Sequence, residues 1–514
     1  MLWSPPRGDA LALVSLYDIE NNAVRQLAAS VRASGRRVIE IYFKDWKNNH
    51  LEEPTEYELD QLIEVLEAEG VGLVGISLRA SAYQRIGSMV SARIRTAGLP
   101  VVLGGWHITV RPHDMLDQAD ALCVGEADHS FPAFVKTWFE SQGDFQACQA
   151  LAGMHFRDPS GQPVRNGPPP LVEDLDALPW RDYESPDKWV LSRGEVQRGD
   201  PMAEDPLYQV MASIGCIQKC SFCHNSFDDG AEGSRLRFRS VDSVLAEIAD
   251  RRAKNPAIRR CRFDDEIFGL SRKWLREFAR RYPVEVGLPF DILTEPTVVN
   301  PEYADLLQQA GARIVHMGIQ SNEPVNVEQL ERRASRKTTE RAVRLLTERG
   351  LYIRYLCMVD VPGTTEEDRE SLFRFLQSVP HPYDLYLFSL TWFPGSKIVE
   401  DLLASGQLHP SMVEGQATKT FSQYRVDLGW PRPPRDTWWL ALMVLQASQT
   451  VPRRWLNHVM ERRLWVDDPR GLVVAAHAAT LVKTARVAKG MLRSGELTGT
   501  LVRRWWNPQQ MITM

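Results

Sequence analysis

Cysteine is scarce in this chain, with seven among 514 residues. That is too few for a disulfide scaffold, so any local cluster of them reads as metal-binding or catalytic. Charge of one sign is also lacking. The 61 Lys and Arg stand against 66 Asp and Glu, a formal net charge of -5, which provides no global basic field and makes nucleic acid an unexpected partner. Long hydrophobic runs are missing too. The longest apolar stretches, Trp438 to Ala447 and Gly471 to Val482, are short for a bilayer span and broken by polar positions, so no transmembrane segment is expected. The opening MLWSPPRGDALALV lacks the basic, apolar and small-residue regions of a secretory signal, and a cytoplasmic location is the expectation.

The chain does have ample material for buried cores, 44% hydrophobic over a length that suggests several domains. From Ala10 to about Trp138, short apolar runs alternate with amphipathic stretches. ALALVSL, RVIEIYF, VGLVGISL, PVVLGG and ADALCVGEA read as strands, and NNAVRQLAASVRASG, YELDQLIEVLEAEG and YQRIGSMVSARIRTAG as helices. This alternation predicts βαβ units on a parallel sheet, with ligands at the carboxyl ends of the strands. A polar, proline-rich stretch over 151–205, with Asp158-Pro159-Ser160-Gly161 and Gly167-Pro168-Pro169-Pro170, reads as a linker. Strand and helix signals alternate again over 206–400, from YQVMASI through IRRCRFDDEIF, VGLPFDILTE, ARIVHMGIQ and LYIRYLCMVDV to YDLYLFSLTWF. That run predicts a full or partial (β/α) barrel whose working groups sit at the strand ends. The remainder, 401–514, reads as mainly helical and basic. It holds Trp430, Trp438, Trp439, Trp455, Trp465, Trp505 and Trp506. These suit a helical cap packing its aromatics inward, an apolar substrate roof, or a basic amphipathic surface near a membrane.

Three of the seven cysteines fall in Cys216-Ile-Gln-Lys-Cys220-Ser-Phe-Cys223. Thiolates select zinc, copper(I) or iron–sulfur clusters. A closed zinc site wants four ligands, usually as two separated pairs, and here only His224 is adjacent. Three ligands on a four-iron cube leave one iron open to a substrate.

That C-x3-C-x2-C spacing, with an aromatic before the last cysteine, resembles the signature of the radical S-adenosylmethionine (SAM) superfamily. The resemblance runs over about 207 to 400. It implies a 4Fe-4S cluster on Cys216, Cys220 and Cys223, with SAM chelating the open iron and cleaved to a 5′-deoxyadenosyl radical. It places Phe222 against the adenine and Asp265 and Glu266, in Phe263-Asp264-Asp265-Glu266-Ile267-Phe268, near the SAM ammonium. Gln320 and Ser321, in His316-Met317-Gly318-Ile319-Gln320-Ser321, face the ribose. Pro362-Gly363-Thr364-Thr365 resembles the family's Gly-x-Pro-Gly-x-Thr turn, with Asp360 in place of its first Gly. Arg239-Ser240 with its following helix, and Phe393-Pro394-Gly395-Ser396, fit the same core.

The N-terminal part, 1–150, resembles the Rossmann-like cobalamin-binding domain of the cobalamin-dependent radical SAM subgroup. The residues that carry this likeness are Gly75-Ile76-Ser77-Leu78-Arg79, Gly104-Gly105-Trp106-His107-Ile108-Thr109 with Pro112, and Val124-Gly125-Glu126. Glycines at strand ends let backbone approach a large flat ligand, and a serine can hydrogen-bond its nucleotide tail. The resemblance assigns Ser77, Leu78, Arg79, Gly104, Gly105, His107, Gly125 and Glu126 to cobalamin. Methionine-synthase-like domains carry Asp-x-His-x-x-Gly after the first strand, and here that stretch is Asp18-Ile19-Glu20-Asn21-Asn22-Ala23. The ligating histidine is absent. Leu78 or Arg79 is left to cover the lower face of cobalt, and His107 is not expected to ligate.

Taken together, the resemblance implies a cobalamin-dependent radical SAM methyltransferase acting on an unactivated carbon of a small molecule or peptide. Electrons would come from a donor such as flavodoxin or ferredoxin. A cobalamin-dependent cyclase or rearrangement enzyme, and a non-enzymatic cobalamin-responsive protein with a structural cluster, are the alternatives. A methylthiotransferase is disfavoured, since that family needs a second cysteine triad and only Cys123 and Cys148 precede Cys216.

Overall fold

The computed structural model describes residues 2–44, 52–223, 235–417, 428 and 432–494. They divide into two compact units. The first takes the described residues of 2–204, 235–239 and 392–417, and the second those of 205–223, 240–391 and 428–494.

The first unit is built on β1 (Ala10–Leu16), β2 (Val38–Phe43), β3 (Val71–Ser77), β4 (Val101–Gly104) and β5 (Ala121–Cys123). These strands pair in parallel. All seven residues of β1 are buried, as a strand covered on both faces requires. Asn21 caps the helix Asn22–Ala33 by accepting from Val24 N–H at 3.2 Å. Thr55 and Glu58 form a capping box on the helix Glu56–Ala68. β1 lies between β2 and β3, so successive crossovers diverge there and open a crevice beyond the carboxyl ends of these strands.

The stretch 151–205 is not a linker. It supplies β6 (Met154–Arg157), β7 (Pro163–Arg165), β8 (Lys188–Ser192) and β9 (Glu195–Arg198), which widen the sheet to the order β7-β6-β5-β4-β3-β1-β2-β8-β9. Asp158-Pro159-Ser160-Gly161 is the turn between β6 and β7, where Asp158 Oδ1 accepts from Ser160 N–H at 2.8 Å and Gln162 N–H at 2.9 Å. The two edges, β7 and β9, carry polar and charged residues that meet water, and a buried charge network ties β8 inward. Asp200 lies 2.8 Å from both Arg25 and Lys188, and Glu40 lies 2.7 Å from Arg32 and 3.4 Å from Lys188.

In the second unit β10 (Leu207–Val210), β11 (Arg260–Phe263), β12 (Phe290–Thr294), β13 (Ala312–Gln320), β14 (Tyr352–Val359) and β15 (Tyr383–Ser389) form one parallel sheet in sequential order. That is the topology of a partial (β/α) barrel. Phe263, Phe268, Phe278, Tyr282 and Phe290 pack edge to face or tilted between sheet and helix Arg272–Glu285.

The 401–514 stretch does not stay together. Helix Lys397–Ala404 and helix Pro410–Ala417 go with the first unit, and helices Pro434–Ser448, Arg453–Glu461 and Arg470–Ser494 with the second. Trp438 and Trp439 are buried, their indole N–H groups donating to Leu464 O at 2.8 Å and Glu366 at 3.1 Å. For these two the inward-packing expectation holds. Trp455 lies 6.1 Å from Trp465, which is exposed. Trp430, Trp505 and Trp506 lie outside the described residues, as does His224. Among the described residues one helix, Arg470–Lys489, is long and apolar enough to cross a membrane by length and composition. In the sequence the apolar stretch runs from Gly471 to Val482 and is followed by Lys483. The helix continues past that residue, whose ammonium is held by Asp384 at 2.7 Å.

Candidate functional site

The cysteine loop leaves the carboxyl end of β10, and Asp265 fastens its approach. The carboxylate of Asp265 accepts from the Ala212 N–H at 3.1 Å and from the Ser213 hydroxyl. Within the loop, Cys216 Sγ accepts from Gln218 N–H at 3.4 Å, and Cys223 N–H donates to Cys220 O at 3.0 Å. Ser221 anchors the middle, its N–H donating to Leu330 O at 3.2 Å and its hydroxyl to Gln329 O at 2.6 Å. Cys216 and Cys223 are half-buried, Cys220 is buried, and all three are free thiols. Burial raises the Cys216 and Cys220 thiols above their ordinary pKa, and the Arg332 guanidinium opposes it at Cys220.

Among the described residues no three His, Cys, Asp or Glu side chains converge on a single-ion site. A four-iron cube holds its ligands farther apart than a single ion does. The donor set of three soft thiolates on one loop, with none of the three in a disulfide, fits such a cluster.

The other strand-end residues divide by what they touch. Glu266 is exposed and its charge acts on the Cys216 thiol. Asp265, expected beside SAM, is instead buried against the backbone at 212–213, and burial pushes its carboxyl up to about 6. Phe222 is half-buried between Ser221 and Cys223. Gln320 ends β13 with a left-handed φ of 56°. Ser321 takes part in lining a cavity with Asn322, Glu323, Arg336 and Thr339, and its N–H donates to Asn326 at 3.0 Å. Pro362 is half-buried and Gly363 exposed. Gly363 has φ 73°, a left-handed backbone conformation that favours glycine. Asp360 keeps the left-handed backbone of the glycine it replaces, with φ 59°, a region Asp tolerates better than most residues. Its carboxylate is held by the Ser389 hydroxyl at 2.6 Å and by Arg432 at 3.3 Å.

In the first unit, polar groups gather at the carboxyl ends of β1 and β3. Asn21 donates to Ser15 at 3.0 Å and to Ser77 at 3.2 Å, and the Ser15 hydroxyl donates to Asp18 O at 2.6 Å. Arg79 is ion-paired with the buried Asp18, with 62% of its side chain exposed. Leu78, expected on the cofactor face, is buried, and its side chain packs against Gly87 of helix Gln84–Thr96. Its backbone is pinned as well, N–H to Gly104 O at 2.7 Å and carbonyl from His107 N–H at 3.1 Å. Gly104 is half-buried. Gly105 has φ 100° and no room for a Cβ against the Leu78 backbone at 2.8 Å. His107 is buried with Nδ1 3.0 Å from the Ser81 hydroxyl, and burial lowers it to about 4. It is a neutral core histidine, turned onto Ser81. Gly125 has φ 85° and donates its N–H to Thr109 at 3.0 Å. Glu126 is not free for a ligand. Its carboxylate takes Arg237 at 2.6 Å and 2.9 Å and the Val172 N–H at 3.1 Å.

The family model of the Radical SAM superfamily matches residues 210–376, and that of the B12 binding domain matches residues 8–135. The chain thus carries a radical SAM domain and, before it, a B12-binding domain. Among curated relatives, an uncharacterized methyltransferase of Pyrococcus horikoshii is 25% identical over 342 residues, covering 65% of this chain and 70% of that protein. The tryptophan 2-C-methyltransferase of Streptomyces laurentii is 26% identical over 179 residues, 32% of this chain and 29% of that protein. Among solved structures, the radical SAM methyltransferase TsrM from Kitasatospora setae, with cobalamin and a 4Fe-4S cluster bound, superposes with a TM-score of 0.64. It is 18% identical, over 91% of this chain and 99% of that one, a likeness of fold.

For a radical SAM core, the residues that the sequence reading missed are Arg332, Glu295 and Gln218. Arg332 donates to Cys220 Sγ at 3.8 Å and to Gly318 O at 2.9 Å, and lies 3.8 Å from Glu295. Glu295 also accepts from the Gln218 amide at 3.2 Å. Glu295 does end a strand signal, the position where a carboxylate merits attention. Arg332 sits in Glu331-Arg332-Arg333, which reads as a solvated charge run.

Proposed function

We propose that this chain, a cobalamin-dependent radical SAM enzyme, is a methyltransferase that transfers a methyl group from SAM to a carbon of a small molecule. The observation that carries the reading is the pairing, in one chain, of a B12-binding α/β sheet with a three-cysteine loop at the carboxyl end of the first strand of a parallel sheet. When bound, a four-iron cluster supplies one electron and an open iron for SAM, and cobalamin supplies a methyl carrier.

The chain's own residues supply the positioning. Cys216, Cys220 and Cys223 are the proposed cluster ligands, Asp265 and Ser221 fix their loop, and Arg332 orients Cys220. Glu266, exposed beside Cys216, is the proposed partner of the SAM ammonium. Gln320, Ser321, Pro362 and Gly363, at and beyond the ends of β13 and β14, are the other proposed SAM contacts. Ser77, Gly104 and Gly125 are proposed to line cobalamin, with Arg79 toward its lower face. His107, buried and bonded through Nδ1 to Ser81, is not proposed as a cobalt ligand.

A row of polar side chains crosses the second unit's sheet, and a polar small molecule is the substrate class proposed for test. Register places His316, Arg354 and Asp384 side by side on β13, β14 and β15, and Arg262 beside Asp291 on β11 and β12. Arg354 pairs with Asp384 at 3.0 Å. One relative methylates tryptophan by its name, so L-tryptophan is the first probe. Anaerobic protein reconstituted with iron, sulfide and cobalamin, reduced by dithionite or flavodoxin, is given methyl-labelled SAM and L-tryptophan. Labelled product, S-adenosylhomocysteine and 5′-deoxyadenosine are followed by mass spectrometry. Cys216→Ala is expected to drop 5′-deoxyadenosine to background. Equal amounts from wild type and variant would remove the cluster assignment. Label appearing in none of a panel of polar small molecules, with 5′-deoxyadenosine still formed, would favour a cyclase or rearrangement.

A further inference from the structure

We propose that helix Arg470–Ser494 is a docking face for an anionic lipid surface. The helix has two unlike sides. Leu472, Ala476, Ala479 and Thr484 are buried, and Lys483 is fixed by Asp384 at 2.7 Å and the Tyr383 carbonyl at 2.9 Å. Val474, Ala478, Leu481 and Ala485, spaced four, three and four apart, line the opposite side, and all are exposed. Val474 is 69% and Leu481 53% exposed, and Val482 widens the strip at 46%. Scattered apolar residues on a surface need no explanation, but an aligned strip along a helix does.

Charge selects the occupant. Arg486 and Lys489 are exposed beside the strip. Helix 470–494 carries five basic residues and no acidic one, and residues 470–514 carry seven basic and one acidic in a chain whose net charge is -5. Arg470 and Lys483 are paired with Asp468 and Asp384, and basic residues still outnumber acidic ones along this stretch of a chain that is acidic overall. An apolar strip flanked by Arg and Lys matches a helix lying in the interface of an anionic bilayer. Spanning is disfavoured, because the Leu472, Ala476 and Ala479 side is already packed and Lys483 is tethered to the barrel.

The test uses the full-length reconstituted enzyme and sedimentation with vesicles of phosphatidylcholine alone or with one quarter phosphatidylglycerol. Wild type is expected to co-sediment with the anionic vesicles, about tenfold more weakly in high salt, and not with phosphatidylcholine alone. Val474→Glu/Leu481→Glu, both exposed, is expected to lose binding while keeping wild-type circular dichroism and basal 5′-deoxyadenosine formation. Arg486→Glu/Lys489→Glu is expected to weaken it at low salt. Unchanged binding by the Val474/Leu481 variant would overturn the proposal, as would absence of wild-type binding. A wild-type dimer that the same variant converts to a monomer, without vesicle binding by either, would assign the face to a second copy instead.

Discussion

Replacing Asp200 by asparagine removes a negative charge from a place where both of its cationic partners are fully buried. The carboxylate accepts from Arg25 at 2.8 Å and 3.3 Å, from Lys188 at 2.8 Å, and from the Met202 N–H at 2.7 Å. The amide keeps one acceptor oxygen but turns an NH2 group toward a cation. Removing one member of a buried pair costs about 3–5 kcal/mol. Lys188 retains Glu40 at 3.4 Å, which puts the expectation near the lower end, about 3 kcal/mol. Because the chain has two units, the assay is native-state hydrogen exchange read at peptides from β1 and β8. Opening of these strands should become easier by that amount, and the first urea transition should fall by about 1–2 M for a slope of about 2 kcal/mol per molar. Glu195→Gln on the exposed edge strand is the control, expected within about 0.5 kcal/mol of wild type. Burial acts against the Asp200 carboxylate, but Arg25 and Lys188 hold its pKa below the usual range. Its contribution is thus present above the unfolded pKa and lost as pH falls through the folded one. The gap between wild type and variant should narrow below about pH 4. A change below about 0.5 kcal/mol at pH 7 would refute the account of 151–205 as an integral part of the sheet.

Asp265 behaves in the opposite sense. Burial raises its carboxyl to about 6, so its favourable protonated state is fully present below the unfolded pKa and is lost as pH rises. Relative to Asp265→Asn, wild type should lose about 2 kcal/mol between pH 4 and pH 7 in thermal or urea melts. Arg332→Gln leaves Glu295 buried without its cation and removes the N–H donor to Cys220. Lower iron per chain and an altered electron paramagnetic resonance signal of the reduced cluster are expected, with Arg332→Lys partly restoring both. Arg79→Ala should change the visible spectrum of bound cobalamin, and an identical spectrum would take Arg79 off the cofactor.

Much of the parallel architecture was legible because buried strands announce themselves. ALALVSL and ARIVHMGIQ coincide with β1 and β13, each a run long enough to be a strand and bounded by helix or turn signals. The cysteine loop was legible from spacing alone. The strands β6 to β9 were not, since each is only three to five residues long and is recognisable only through the neighbour it pairs with. Carboxylates at strand ends were found but their partners were not. Glu126 meets Arg237 across 111 residues and Asp265 meets Ser213 across 52. A strand-end acid looks the same in sequence whether it faces a ligand or the chain itself. Leu78 shows the same ambiguity for an apolar residue, since only the packing against Gly87 tells core from cofactor face.

The order in which the two units share the chain governs how the protein can be taken apart. After Glu204 the polypeptide enters the second unit, returns to the first by Arg239, re-enters the second at Ser240 and goes back to the first at Trp392. No single scission yields two self-sufficient pieces. A fragment cut at 206 and 400 would carry the cysteine loop but orphan Arg237 from Glu126 and strand the helices of 434–494 from the barrel they cover. Exchange of the first unit between relatives, by recombination or in the laboratory, therefore has to move three separate stretches at once.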